Sequence, residues 1–161
     1  MEILVTGGAG FLGRYIVEAL LVDGHSVHSF SRGEQSELAS MGVRVHRGDL
    51  TDADAVHQVC QGKEAVFHVA AKAGIWGDRS SYFSVNVGGT QNIIQACQEH
   101  GVSYLVHTST PSVVFNRSAF KGEDERLPYG RRWLCAYAES KAEAEKLVLA
   151  AQSNNLQVCA L

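Results

Sequence analysis

At 161 residues, the chain has the length of one domain of ~100–200 residues and can bury roughly two-thirds of the surface its unfolded form exposes. Hydrophobic residues make up 45% and charged residues 19%, and 16 glycines stand against 2 prolines, a balance that excludes a disordered or fibrous chain. Fourteen Lys and Arg against 17 Asp and Glu leave a net charge of −3, so no bulk positive field exists to hold nucleic acid or an anionic membrane.

Segments rich in aliphatic and β-branched residues alternate with longer stretches of helical period. In chain order they predict strand 2–6, helix 11–23, strands 26–31 and 43–46, helix 52–61, strand 65–69, helix 82–100, strand 103–108 and helix 136–153. In the first helix Leu12, Ile16, Ala19 and Leu20 fall at core-facing intervals, Arg14 and Glu18 face solvent, and Gly24 is a natural left-handed stop. Residues 111–135 hold Pro111, Pro128 and the charged run Lys121-Gly122-Glu123-Asp124-Glu125-Arg126, and read as an excursion over the active edge with solvated charges. Leu156-Gln157-Val158-Cys159-Ala160-Leu161 begins a sixth strand. The alternation implies an α/β fold, a doubly wound parallel sheet with helices on both faces, whose ligands bind beyond the carboxyl ends of the strands. No apolar run approaches the ~20 residues of a membrane span, and the opening Glu2-Ile3-Leu4-Val5 lacks the sections of a signal peptide, which points to the cytoplasm. Cys60, Cys97, Cys135 and Cys159 are scattered with no CxxC pair, and the seven histidines form no HExxH cluster; buried, reduced thiols and no metal site are expected.

Thr6-Gly7-Gly8-Ala9-Gly10-Phe11-Leu12-Gly13 joins the first strand to the first helix. Glycines at 7, 10 and 13 permit a tight turn, close approach of backbone to a pyrophosphate, and close packing of helix on sheet. An ordinary strand-to-helix turn is the bland alternative; its place between the first strand and first helix favours a dinucleotide at the helix N-terminus. The spacing Gly-x-x-Gly-x-x-Gly resembles the extended short-chain dehydrogenase/reductase family. The resemblance continues through Gly48-Asp49-Leu50, Val66-Phe67-His68-Val69-Ala70-Ala71 and Asn86-Val87-Gly88-Gly89-Thr90. It implies a Rossmann-like domain in which Gly7, Gly10, Phe11, Leu12, Gly13, Asp49, Leu50, Ala70 and Ala71 border the cofactor, with Asp49 on the adenine. Asp49 is equally a helix-starting turn residue, and the roles can coexist.

An NAD-selective site presents a carboxylate to the adenosine ribose at the end of strand two. Here Ser31 and Arg32 stand there, and a guanidinium can bind a 2′-phosphate bidentately. NADP(H) is therefore expected over NAD(H), with a solvated surface arginine as the alternative.

Tyr137 and Lys141 lie four positions apart, hence on one helix face. A free phenol has a pKa near ~10, and a nearby ammonium and an oxidised nicotinamide both favour phenolate. On spacing alone an exposed pair is preferred; the family resemblance implies that Tyr137 exchanges the substrate proton and Lys141 tunes it, both also touching the cofactor. It also implies a substrate-orienting hydroxyl after strand five, assigned first to Thr110 and in reserve to Ser109, with Asn86 nearby in a catalytic or helix-holding role.

Ala70-Ala71-Lys72-Ala73-Gly74-Ile75-Trp76-Gly77 and Thr108-Ser109-Thr110-Pro111-Ser112-Val113 resemble a narrower branch, the 3β-hydroxysteroid-dehydrogenase-like reductases. That branch implies NADPH-dependent interconversion of a ketone and a secondary alcohol on an apolar substrate, a 2-alkyl-3-oxoalkanoate before a 3-hydroxysteroid. Val113-Val114-Phe115 replaces the Val-Tyr-Gly usual in sugar epimerases and leans the same way. An NAD-dependent sugar-nucleotide epimerase or dehydratase and a non-catalytic dinucleotide sensor are the alternatives. Ile75, Trp76 and Phe115 are candidates to wall an acyl or sterol pocket or simply to pack, and Lys72 to attract a carboxylate or cofactor phosphate or simply to face solvent. Relatives imply a homodimer through the long helices after strands four and five. They also continue into a carboxy-terminal substrate domain, so residues 1–161 are expected to be a nucleotide-binding half, truncated at strand six and inactive alone.

Overall fold

Glu2–Thr6 (β1) has the character of a strand covered on both faces: Ile3, Leu4 and Val5 are all buried although their side chains alternate in direction. The computed structural model describes all of residues 1–161. It completes a six-stranded sheet with Ser26–Ser31 (β2), Arg44–Arg47 (β3), Ala65–His68 (β4), Tyr104–His107 (β5) and Gln157–Ala160 (β6). The order is β3-β2-β1-β4-β5-β6 and every pairing is parallel, the Rossmann-like α/β arrangement expected. Strand order reverses between β1 and β4, which puts the ligand crevice at their carboxyl ends.

The helices are Phe11–Val22 (α1), Ser36–Ser40 (α2), Ala53–Cys60 (α3), Arg79–Tyr82 (α4), Gly89–His100 (α5) and Ala136–Ala150 (α6). They cover the sheet in two layers. On one face Leu4, Val66 and Leu105 pack with Val56 of α3, Ile93 of α5 and Val148 of α6; on the other, Ile3, Val5 and Val27 pack with Val17 and Leu20 of α1 and Leu38 of α2. No helix is long and apolar enough to cross a membrane. Cys60 and Cys97 are buried, but Cys159 is exposed and Cys135 half-buried, so the expectation of buried thiols holds for one pair only.

Three local expectations need correction. The stretch between β2 and β3, to which no element was assigned, holds α2, which forms because Leu38 has a core site to fill. In α1 the buried line is Gly13, Val17 and Leu20, while Leu12 is exposed. The close packing of Gly13 on the turn sets the helix rotation and overrides the apolar period. The helix expected over 82–100 starts earlier and is not uniform: α4 runs into a π-helical turn at Phe83–Gly88, which runs into α5.

The sheet also buries imidazoles. His28 is bonded to His46 (3.0 Å) and to Glu2 Oε2 (2.8 Å), and His68 and His107 face each other across β4 and β5 with ring centroids 5.2 Å apart. Burial holds His28, His46 and His68 below the ordinary histidine value, and burial with the neighbouring Lys141 charge pushes His107 down to about 3. The folded chain therefore keeps these rings neutral while the unfolded chain protonates them, so stability is full above the ordinary histidine value of ~6.5 and falls as pH drops through it. Between pH 7.5 and 5, His107 alone should remove about 2 kcal/mol, and His68 adds to the loss in the same direction. Urea unfolding at the two pH values measures this; an unchanged midpoint would mean the rings protonate without unfolding.

Candidate functional site

The glycine turn is built by contacts that leave no room for side chains. Gly7 has φ +70°, and a Cβ there would lie 2.9 Å from the Ala70 Cα; a Cβ on Gly13 would lie 2.1 Å from the Gly7 carbonyl oxygen. Gly8, which the sequence reading passed over, is also crowded, though by a side chain: its Cβ would meet Ser29 Oγ at 2.4 Å. Beneath the turn, Thr6 Oγ1 accepts from the N–H groups of Val69 and Ala70, 3.1 Å each, tying the end of β1 to the end of β4. Helix α1 has no side-chain cap, so its first N–H groups are available to an anion.

The turn opens into a groove of about 600 Å³. Of the residues the sequence assigned to a cofactor, Gly7, Gly10, Phe11, Leu12, Gly13, Ser31, Arg32, Asp49, Leu50, Ala70 and Ala71 all line it; Lys72, Tyr137 and Lys141 do not. At the β2 end, Ser31 Oγ is buried without a hydrogen-bond partner. Arg32 is mostly exposed and 3.7 Å from Asp49 Oδ2. Arg47, absent from the sequence reading, donates from Nε to the Arg32 carbonyl at 3.0 Å. Asp49 accepts from the Thr51 N–H and hydroxyl at 2.9 Å each, and these bonds hold its carboxyl below the usual range. The helix cap itself is Asp52, which accepts from Ala55, and Asp49 is the turn residue ahead of it, its carbonyl accepting from the Asp52 N–H at 3.1 Å.

Beyond the groove, Asn86 joins three segments. Its Oδ1 accepts from the Lys72 N–H (2.7 Å), and its Nδ2 donates to the Lys72 carbonyl (3.0 Å) and to Ser140 Oγ on α6 (2.9 Å). That is the helix-holding role among the two considered. The Lys72 ammonium turns away from the groove, donating to Ser81 Oγ and lying 4.8 Å from the Tyr82 ring centroid; the expectation that it borders the cofactor is not met. The reason is Asn86, which fixes the Lys72 backbone and sends its side chain to the turn before α4. Behind Asn86 runs a directed chain. Thr6 Oγ1 already accepts twice, so its proton goes to His68 Nδ1 (2.8 Å); His68 Nε2–H then donates to Thr90 Oγ1 (3.0 Å), and Thr90 donates to the Asn86 carbonyl (2.6 Å).

Tyr137 stands in the first turn of α6, with Lys141 one turn on and Glu145, which the sequence reading missed, one turn further. Lys141 is 3% exposed; its Nζ contacts His107 Nε2 at 2.9 Å and the Thr108 carbonyl at 2.6 Å. Burial pushes its pKa down to about 8, with Glu145 opposing. Thr108 borders the groove, so Lys141 lies directly under its edge. Ser109 points elsewhere: its hydroxyl donates to Glu145, which also accepts from the Tyr129 hydroxyl at 2.9 Å. Thr110 Oγ1 donates to Ser112 Oγ at 3.3 Å. Ser112 in turn lines an apolar pocket of about 180 Å³ with Ile75, Phe115, Trp133, Leu134 and Ala138. Ser112 stood in the segment that resembles the narrower branch but was given no role, and Trp133 and Leu134 carried no signal beyond their place in the excursion. Trp76, a candidate wall, is 90% exposed and outside this pocket.

The sequence model of the 3-beta hydroxysteroid dehydrogenase/isomerase family matches residues 4–161. The chain belongs to that family. Within it, the chain is 48% identical to the 2-alkyl-3-oxoalkanoate reductases of Shewanella oneidensis and Stenotrophomonas maltophilia, over 94% and 100% of its length and 39% and 49% of theirs. It is 41% identical to a 3 beta-hydroxysteroid dehydrogenase/Delta 5→4-isomerase of Mycobacterium tuberculosis, over 99% of its length and 45% of the relative's. The chain thus spans less than half the length of each of these relatives. Among solved structures, a short-chain dehydrogenase/reductase superfamily protein of Agrobacterium tumefaciens with bound NAD superposes with TM-score 0.87 at 31% identity, covering 99% of this chain and 48% of that one. A Thermus thermophilus UDP-glucose 4-epimerase in complex with NAD gives 0.85 at 34%, covering 99% and 54%. These likenesses agree with the resemblance to the extended short-chain dehydrogenase/reductases carried by the glycine turn and the motifs after it, and with the narrower one carried by residues 70–77 and 108–113.

Proposed function

We propose that this chain is the nucleotide-binding and proton-transfer half of an NADPH-dependent reductase that converts a 2-alkyl-3-oxoalkanoate to the corresponding secondary alcohol. The observation that carries the reading is the face of α6 on which Tyr137 and Lys141 follow one another beside the carboxyl ends of the strands, under the edge of the glycine-lined groove. The names of the two relatives at 48% identity support the substrate class. The groove fits a dinucleotide by its own construction, since Cβ atoms at Gly7 and Gly13 would collide with backbone and the start of α1 is uncapped. Gly10 and Gly13 line the pyrophosphate place, Asp49 and Leu50 the adenine place, and Ala70 and Ala71 the path to the reacting end.

When bound, the nicotinamide supplies the hydride. Tyr137 holds the proton destined for the substrate oxygen at its hydroxyl. Lys141, charged and short of a counter-ion, lowers the cost of the phenolate left behind. Thr110 and its partner Ser112 orient the carbonyl; Ser109, committed to Glu145, does not. The apolar pocket beside Ala138 receives an alkyl branch.

Turnover with NADPH and NADH, against long-chain β-keto acids, 3-ketosteroids and UDP-sugars, tests the reading in any polypeptide that carries this chain through to activity. NADPH-dependent reduction of the keto acids is expected. Turnover of UDP-glucose with NAD and none of the keto acids would instead support the epimerase suggested by the Thermus structure.

Coenzyme choice rests on the β2 end. Arg32 offers a guanidinium weakly held at 3.7 Å from Asp49 and suited to a 2′-phosphate, and the unpartnered Ser31 hydroxyl beside it is buried and must turn outward to join it. Arg32→Ala should weaken NADPH about tenfold relative to NADH, roughly 1.4 kcal/mol, by titration of each nucleotide. An unchanged ratio would return Arg32 to the solvated surface.

A further inference from the structure

We infer that His107 is a positioning residue for Lys141, its neutral Nε2 holding the lysine ammonium beneath the site. The inference deepens the reading above and rests on it for the role of Lys141; the contact itself rests on how β5 and α6 pack.

Lys141 and His107 are 3% and 1% exposed, with Nζ and Nε2 2.9 Å apart. An ammonium only donates, so Nε2 accepts and the ring proton sits on Nδ1. That Nδ1–H is buried with no partner. The neighbouring imidazole cannot take it, because both nitrogens of His68 are occupied by Thr6 and Thr90. A histidine used only as packing would thus bury a donor to no purpose, where an aliphatic side chain would not. What it supplies at this position is an acceptor for the ammonium.

The groups facing this pair are few. From β4 comes His68, neutral for the reasons above; from the π-helical turn, Asn86, uncharged and bonded to Lys72 and Ser140. From α6 come Tyr137 and Glu145, the latter engaged by Ser109 and Tyr129. From β5 itself, Thr108 offers its carbonyl. No carboxylate bonds to Nζ. Two of the three ammonium protons are therefore held by neutral acceptors, which fixes the direction of the third and leaves the positive charge uncancelled for its neighbours. A carboxylate at 107 would hold the lysine as firmly and erase its field.

The test is the titration of Lys141 itself, followed by side-chain NMR of the 13C,15N-lysine-labelled chain, with NADPH affinity and melting temperature measured alongside. The wild-type midpoint is expected at about 8. His107→Leu removes the acceptor and His107→Asn leaves one too short to reach; both should lower the midpoint by about one pH unit and weaken NADPH binding at pH 8. His107→Gln restores a reaching acceptor and should bring both back towards wild type. If His107→Leu fails to fold, the contrast between the Asn and Gln variants decides. Midpoints that coincide in wild type and in folded Leu or Asn variants would overturn the inference. The titration needs no turnover: a wild-type chain that binds no NADPH would overturn the functional reading while the lysine midpoints still decide this one.

Discussion

Tyr137→Phe should lower ketone reduction by roughly 10²–10⁴-fold with little change in NADPH affinity or melting temperature. The substitution removes one oxygen and keeps the ring, so the packing of the first turn of α6 is preserved. Lys141 does not depend on the phenol for its place, since His107 and Thr108 hold it. Asn86 anchors the same turn through Ser140, which donates to the Tyr137 carbonyl at 2.9 Å, a backbone bond that phenylalanine retains. The loss is therefore expected in kcat with KM and nucleotide binding nearly constant, the pattern of a group that acts in the transition state. Turnover within tenfold of wild type would place the proton donor elsewhere, and the hydroxyls of Thr110 and Ser112 would be the next to remove.

Gly13→Ala should cost about 2–3 kcal/mol, or roughly 5–10 °C in melting temperature for a chain of this size, and abolish dinucleotide binding. The added methyl would meet the Gly7 carbonyl oxygen at 2.1 Å, the Gly7 carbonyl carbon at 2.8 Å and the Gly8 Cα at 2.9 Å. All three are backbone atoms, so no flexible side chain can swing aside, and relief requires moving the helix off the sheet. Gly33→Ala is the control. Gly33 borders the same groove, but its Cβ would meet nothing within 4 Å, so the change should be neutral or stabilising by a few tenths of a kcal/mol. Calorimetry and nucleotide titration on both variants separate crowding at one atom from a general intolerance of the turn; equal losses would mean the collision is not the cause.

The strands were legible because their signal is local: short aliphatic runs bounded by turns, each found within a residue or two of its predicted place. The glycine turn was legible because three glycines at that spacing have few other uses between a strand and a helix. Most of what escaped depended on partners far away in sequence. The rotation of α1 is decided by Gly13 against Gly7 rather than by its apolar residues. Lys72 follows the amide of Asn86, and Ser109 follows a carboxylate on α6, Glu145. Arg47 reaches the rim of the groove only because β3 lies beside β2. Apart from Gly7 and Gly13, which share one turn, no window of neighbouring residues contains these pairings.

The π-helical turn at Phe83–Gly88 has one more consequence. An α-helix advances about 100° per residue, so a single extra residue in the turn resets the angular phase of everything before it relative to everything after. On the near side Arg79 meets Glu139 of α6 at 2.8 Å. On the far side Gly89 lies against Leu50, and Asn92 donates to the Leu50 carbonyl at 2.8 Å. One rod of helix thus serves two walls that do not share an azimuth. Drawing all the residues of this turn into α geometry would turn Arg79 by about a quarter of a circle, whereas deleting one of them would absorb the wide turn and leave Arg79 near its place, so the number of residues in this segment matters as much as their kind.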